Sequence, residues 1–188
     1  MNRRFTANVL SLSLASALLL SSCQTTQTTA PQPTQTQAPT SIVNGDFEEA
    51  ASDGGWLGWT REDAAFNARG IVSEPKQNGV EMDFSGSKYF SGLIAGNPVM
   101  RGTLTSDPFT LGDTGFILFR MGAGQNPDKV YVEFLEEGTD TVLAKVTNED
   151  ADGVFITDHL LSKVVDLSAH IGKTIYIKVT DTDDTQEL

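Results

Sequence analysis

The sequence predicts an all-β domain, an antiparallel β-sandwich, over residues 42–188. Three observations predict it. Short β-branched and aromatic segments recur between Gly, Asn, Asp and Pro punctuation. Within those segments apolar and polar residues alternate with a period of two, and no amphipathic helical stretch interrupts them. Evenly spaced strands of this kind close as sandwiches or jelly rolls.

The expected strands cover 55–60, 88–95, 101–109, 115–121, 129–136, 141–147, 161–167 and 174–180. In 174–180, Ile175, Ile177 and Val179 share one face, with Thr174, Tyr176 and Lys178 on the other. The same alternation sets Ile117, Phe119 and Met121 against Phe116, Leu118 and Arg120. It also sets Val130, Val132 and Phe134 against Tyr131, Glu133 and Leu135. One face of each strand is core and the other is available.

Ahead of this domain lie two segments of different character. Residues 1–22 carry Arg3 and Arg4, an apolar run over 9–20 and the small pair Ser21-Ser22, the parts of an export signal. The run is too short for the ~20 apolar residues of a membrane-spanning helix. Cys23 follows the small pair directly, and 20–23 resembles the bacterial lipobox, whose cysteine is acylated and begins the mature chain. That resemblance implies lipidation at Cys23 and an extracytoplasmic, lipid-anchored protein at the bacterial cell surface. Gln24 in the next position allows an outer-membrane address, and a Gram-positive cell membrane fits equally. Residues 24–41 are Thr, Gln, Pro, Ala and Ser with no charge, a composition that cannot offset the entropy of ordering. With Cys23 they read as a tether, 23–41, spanning on the order of 20 to 25 Å.

Charge and cysteine use exclude several functions. Thirteen Lys and Arg against 25 Asp and Glu give a formal net charge of −12, and loss of the leader with its two arginines makes the remainder more acidic still. No basic patch is present to neutralise phosphates, so nucleic acid is not an expected partner, and membrane contact should come through the lipid alone. The single cysteine permits no intrachain disulfide and no cysteine-built metal site. The only histidines, His159 and His170, lie in no Gly-x-Ser-x-Gly or similar context, so no nucleophilic triad is expected. Acid pairs such as Glu48-Glu49, Glu136-Glu137 and Asp183-Asp184 read as solvated surface, since a glycosidase needs its carboxyls held across a cleft. The domain is expected to have no catalytic residues.

The residues 42–48 (Ile-Val-Asn-Gly-Asp-Phe-Glu), Gly58-Trp59-Thr60 and Ala65-Phe66 open the domain in a manner that resembles galactose-binding-like jelly-roll modules of bacterial carbohydrate-active enzymes. The resemblance extends through Gly102-Thr103-Leu104-Thr105-Ser106, Pro108-Phe109, Leu111-Gly112, Gly122-Ala123-Gly124, Tyr131-Val132, Val165-Asp166-Leu167-Ser168 and 172–177. In that order these motifs are similar to the non-catalytic modules attached to family 32 glycoside hydrolases, the levanases and fructan-cleaving enzymes. The resemblance implies a galactose-binding-like jelly roll that binds a glycan or polysaccharide. Members of that family run on into one more strand beside the first, so the resemblance also implies either a truncated product or a sandwich that lacks its closing strand and is left with an open edge.

Candidate sugar contacts are aromatic rings beside hydrogen-bonding side chains. Trp56, between glycines, is expected at an exposed loop, and Trp59 in the core. Tyr89, Tyr131 and Tyr176 are the other rings, with Arg101, Arg120, Glu133 and Lys178 expected on the sheet surface that Tyr131 and Tyr176 would share. Asn126, in 124–128, offers an amide at a sheet edge, and its Gly-Gln-Asn-Pro-Asp run is equally a turn. These side chains read either as a glycan face or as a satisfied outer surface.

Two segments bear on a structural calcium. Asn148, Asp150 and Asp152, with Gly153, match the first half of an EF-hand loop, but position twelve is His159, not glutamate, and strands are expected on either side, so the segment reads first as a solvated acidic hairpin loop and second as a calcium site. The family resemblance separately implies calcium at Glu48, with loop carbonyls and an aspartate of the closing strand. Three functions fit the whole: a cell-surface carbohydrate-binding module, an N-terminal fragment of a surface glycoside hydrolase, or a structural or protein-interaction lipoprotein.

Overall fold

The alternation of apolar residues becomes two layers of antiparallel strands. The structure, a computed structural model, describes residues 37–52, 55–63, 66, 71–77, 80–91, 101–122, 124–156 and 159–184. Twelve strands lie in these segments: β1 (Trp59–Asp63), β2 (Ile71–Val72), β3 (Lys76–Gln77), β4 (Val80–Glu81), β5 (Tyr89–Phe90), β6 (Gly102–Ser106), β7 (Phe109–Thr110), β8 (Phe116–Met121), β9 (Val130–Glu136), β10 (Thr141–Val146), β11 (Leu161–Asp166) and β12 (Thr174–Asp181). The leader, Cys23 and most of the tether lie outside the described residues. Among those described, no helix is long and apolar enough to cross a membrane.

The main sheet runs β1-β6-β12-β9-β10, with β7 also on β12. Strand β12 is central because its sequence alternates cleanly. Ile175 and Ile177 are buried on the inner face, and Tyr176 and Lys178 are half-buried on the outer one. Opposite the inner face lies the β8–β11 pair. Met121, Val165 and Leu167 from that side join Phe109, Val132, Phe134, Ile175 and Ile177 from the main sheet in one core. The Phe119 and Phe134 rings meet across it at 5.9 Å. This is sheet-on-sheet packing, in which alternate residues of both layers fill the space between.

A second, aromatic core closes the β1–β6 end. Phe90 of β5 stacks on Phe66 at 5.1 Å and meets Trp56 edge-on at 5.0 Å, while Phe47 lies 5.1 Å from Trp59. Leu104 of β6 lies beneath them, 1% exposed. The opening motif is the fastener. The Asn44 side chain donates to the Glu49 and Leu57 carbonyls and accepts from the Glu49 amide, and its own carbonyl accepts the Trp59 indole N–H at 3.1 Å.

The strand expected over 101–109 is broken in two at Asp107-Pro108, since proline cannot donate to the ladder. Strand β12 therefore pairs first with β6 and then with β7. At the break the Ser106 hydroxyl accepts the Ile177 N–H at 2.9 Å, supplying the partner that the backbone does not. The strand expected over 88–95 is described only at Tyr89–Phe90. Strands β2, β3 and β4 have two residues each, too short to carry a periodic signal.

Among the described residues, strand β12 lies inside the main sheet, and its outermost strands are β1 and β10. β1 exposes Arg61 and Glu62, and β10 carries a register shift between Val142 and Ala144 and the exposed Lys145. Charges and bulges are what blunt a sheet edge against further pairing.

Candidate functional site

Register decides which outward side chains meet. On the outer face of the main sheet, Thr60 lies across from Thr105, Thr105 from Lys178, and Lys178 from Glu133. The next row is Glu62, Thr103, Thr180 and Tyr131. Tyr131, Glu133, Tyr176 and Lys178 therefore share one face, as their alternation predicts.

Over β1, β6 and β12 that face holds a shallow, open groove of about 400 Å³. Its floor is Thr60, Thr103, Thr105 and Lys178. One wall is the Ser106-Asp107-Pro108 break, and the other is Tyr176 with Glu137 and Asp140 from the β9–β10 turn. The Tyr176 hydroxyl donates to Asp140 Oδ1 at 2.8 Å. Burial first, then that hydrogen bond and the nearby carboxylates, pushes the phenol up to about 12. The phenol is thus neutral at any physiological pH, a hydrogen-bonding ring edge and not a base. Glu62, Asp107, Glu137 and Asp140 face a single ammonium, Lys178, so the groove is acidic. Beyond it, Lys145 Nζ lies 3.8 Å from the Tyr131 ring centroid, capping that ring with a cation.

Several expected contacts lie elsewhere. Trp56 is 4% exposed, not at an open loop. Bridges to Ala50 and Trp59 fold its glycine-flanked segment back on itself, and the Arg61 guanidinium covers the ring at 5.6 Å. Tyr89 is 5% exposed, with its ring against Phe84 at 4.8 Å, so it offers no stacking surface. Arg120 stands on the outer face of the opposite sheet, 2.8 Å from Asp83. Arg101 precedes β6 and pairs with Asp184 at 3.0 Å at the sheet's end. Asn126 works through its backbone, its carbonyl accepting the Lys129 and Val130 amides of a turn.

The calcium segments are occupied by protein partners. Glu48 accepts the Ser87 N–H at 2.7 Å and the Ser87 hydroxyl, and Lys88 Nζ lies 3.8 Å away. Those Ser87 hydrogen bonds chiefly hold the Glu48 carboxyl below its usual range. A calcium ion would have to displace both, with an ammonium already beside the carboxylate. Asn148 is fully buried, and its Nδ2 donates to the Gly124 and Ile156 carbonyls. Asp150 Oδ1 accepts the Asp152 and Val154 amides, both at 2.9 Å, closing a turn between the bridged residues Glu149 and Phe155. Among the described residues, no three His, Cys, Asp or Glu side chains gather as a metal cage.

Sequence reasoning missed Glu62, Thr103, Thr105, Asp107, Glu137 and Asp140. Thr103 and Thr105 lie within the strand expected over 101–109, where no face had been assigned. The four carboxylates come from β1, the break between β6 and β7 and the β9–β10 turn, and no local signal joins these three segments. No protein-family model, curated protein or solved structure matches this chain.

Proposed function

We propose that this chain is a lipid-tethered, extracytoplasmic binding module, without catalysis, that holds a neutral or amino-bearing glycan in the groove over β1, β6 and β12. The groove at Tyr176 is the observation that supports this reading most. It sets a fixed, half-buried aromatic ring beside threonine hydroxyls, carboxylates and one ammonium. Sugars are held by that combination, a ring face for their C–H groups and polar atoms for their hydroxyls.

Charge narrows the ligand. Four carboxylates against one ammonium repel uronic-acid and sulfated polymers and accept neutral or amino sugars. The anchoring half of the reading rests on the leader, the lipobox-like 20–23 and the uncharged tether.

The test is a polysaccharide-affinity screen of the full chain in mild detergent, with neutral, amino-bearing and acidic glycans, with and without chelator. Retention on a neutral or amino-bearing glycan, unaffected by chelator, is expected. Retention on acidic glycans alone, or on none, would overturn the reading.

A further inference from the structure

Ion pairing divides the carboxylates of the surface into two sets. Lys76, Lys88, Arg101, Arg120, Lys129 and Lys173 each pair with a carboxylate, and every one of those carboxylates lies outside the groove. The groove carboxylates, Glu62 on β1, Asp107 at the β6–β7 break and Glu137 and Asp140 on the β9–β10 turn, have no ion pair among the described residues. The nearby cations do not supply one: Arg61 lies over the Trp56 ring and Lys145 over the Tyr131 ring. Set against the lone Lys178 ammonium, the four leave three negative charges uncompensated around one groove. Charges of one sign converging on a groove concentrate ligands of the other. A second observation concerns the floor. Thr180 lies across from Thr103 on the same outward face, and it is 5% exposed. Its hydroxyl oxygen has no hydrogen-bond partner among the described residues, an unmet polar group at the end of the floor.

We propose that the groove is specific for a glycan carrying free, protonated amines, an oligomer of amino sugars and not its N-acetylated form; this rests on the glycan reading above and narrows it to one class. Each ammonium donates to the rim carboxylates, a charge-assisted contact that is stronger than a neutral one. Lys178 repels an amine from the centre of the floor, so the ammonium groups sit at the Asp107 wall and at the Glu137 and Asp140 wall. The sugar ring lies against Tyr176, and its hydroxyls meet those of Thr60, Thr103 and Thr105, with Thr180 at the end of the row. N-acetylation removes the charge and leaves the rim without its counterpart. A basic peptide brings the charge but not the hydroxyls that the threonine floor matches. A metal ion is served less well, because among the described residues no three acidic side chains gather closely enough to cage one.

The test is binding of the full-length chain, in mild detergent at pH 6, to two oligosaccharides of one backbone: a glucosamine oligomer and its N-acetylated counterpart. The free amine form should bind at least about tenfold more tightly, and its advantage should shrink as salt is raised from about 50 to about 500 mM. Asp107→Asn with Glu137→Gln should bring the two affinities within about threefold of each other. Asp113→Asn with Asp128→Asn makes an equal charge change outside the groove and should leave the preference as in wild type. All four positions are exposed, so these changes leave the fold intact, which a thermal melt checks. Equal binding of the two oligomers, or binding of the N-acetylated form alone, would overturn the proposal and leave the glycan reading standing. Loss of the preference in both double variants alike would also overturn it, by assigning the attraction to the acidic chain as a whole. Oligolysine bound as tightly as the glucosamine oligomer, and released by Asp107→Asn with Glu137→Gln, would give the groove to basic peptides and overturn both readings. Binding of neither oligomer would overturn the proposal too, and retention of another neutral glycan in the polysaccharide screen then decides the glycan reading separately.

Discussion

The Tyr176 hydroxyl donates to Asp140 Oδ1 at 2.8 Å and ties the central strand β12 to the β9–β10 turn. The bond fixes the ring as the wall of the groove and aligns a carboxylate beside it. A ring so held loses little freedom when a ligand arrives.

This pairing predicts a titration. Tyr176 should ionise near pH 12, above the ordinary tyrosine range, chiefly from burial. Asp140→Asn removes the hydrogen bond to an ionised acceptor and the adjacent charge, and should bring the midpoint part of the way down. Ultraviolet titration of both proteins at 295 nm checks it. A midpoint unmoved by the substitution would mean that the two side chains do not interact in solution.

Asp181 predicts an opposite pH dependence from most surface acids. Burial raises its carboxyl to about 6, against an ordinary value of 3.8. Between those values the folded state binds more protons than the unfolded one, so this group's contribution to stability falls as pH rises from about 4 to 6. Asp181 is partly exposed, so solvent screening reduces the effect to on the order of 1 kcal/mol. Asp181→Asn should therefore stabilise at pH 7.5 and change little at pH 4, while still accepting the Asp183 N–H. Urea denaturation at the two pH values measures this, and equal shifts at both would count against it.

Two glycines with left-handed backbones should differ sharply. Gly115 has φ +74°, and a Cβ there would lie 2.6 Å from Ser168 Cα. Gly138 has φ +80°, with nothing within 4 Å of the same atom. Gly138→Ala should cost about 1 kcal/mol from backbone strain, and Gly115→Ala at least about twice that. Comparable melting temperatures for the two variants would mean that the β8 approach to Ser168 is looser than described.

Phe134 is fully buried at the centre of the main core, with Phe119 against its ring. Phe134→Ala should destabilise by about 3–5 kcal/mol through lost burial and a cavity. Chemical denaturation gives the number, and a loss under 1 kcal/mol would place the core elsewhere.

The main strands were legible because alternation is physical: Ile175 and Ile177 face in, Tyr176 and Lys178 face out, and the sheet follows. Trp56 misled because flanking glycines signal a loop equally when that loop folds inward onto an aromatic core. Leu135 looks outward by alternation yet is 6% exposed, since its register neighbours Tyr176 and Val142 flank it. The groove itself was not legible. Its carboxylates come together only through the pairing of β1, β6 and β12 and the turn after β9, which no local pattern encodes.

The most direct test of the glycan groove is retention of three full-length proteins on the polysaccharide that the screen selects: wild type, Tyr176→Ala and Leu118→Ser. Loss of retention for Tyr176→Ala, with Leu118→Ser behaving as wild type, is the result predicted. Undiminished retention of a folded Tyr176→Ala would contradict it.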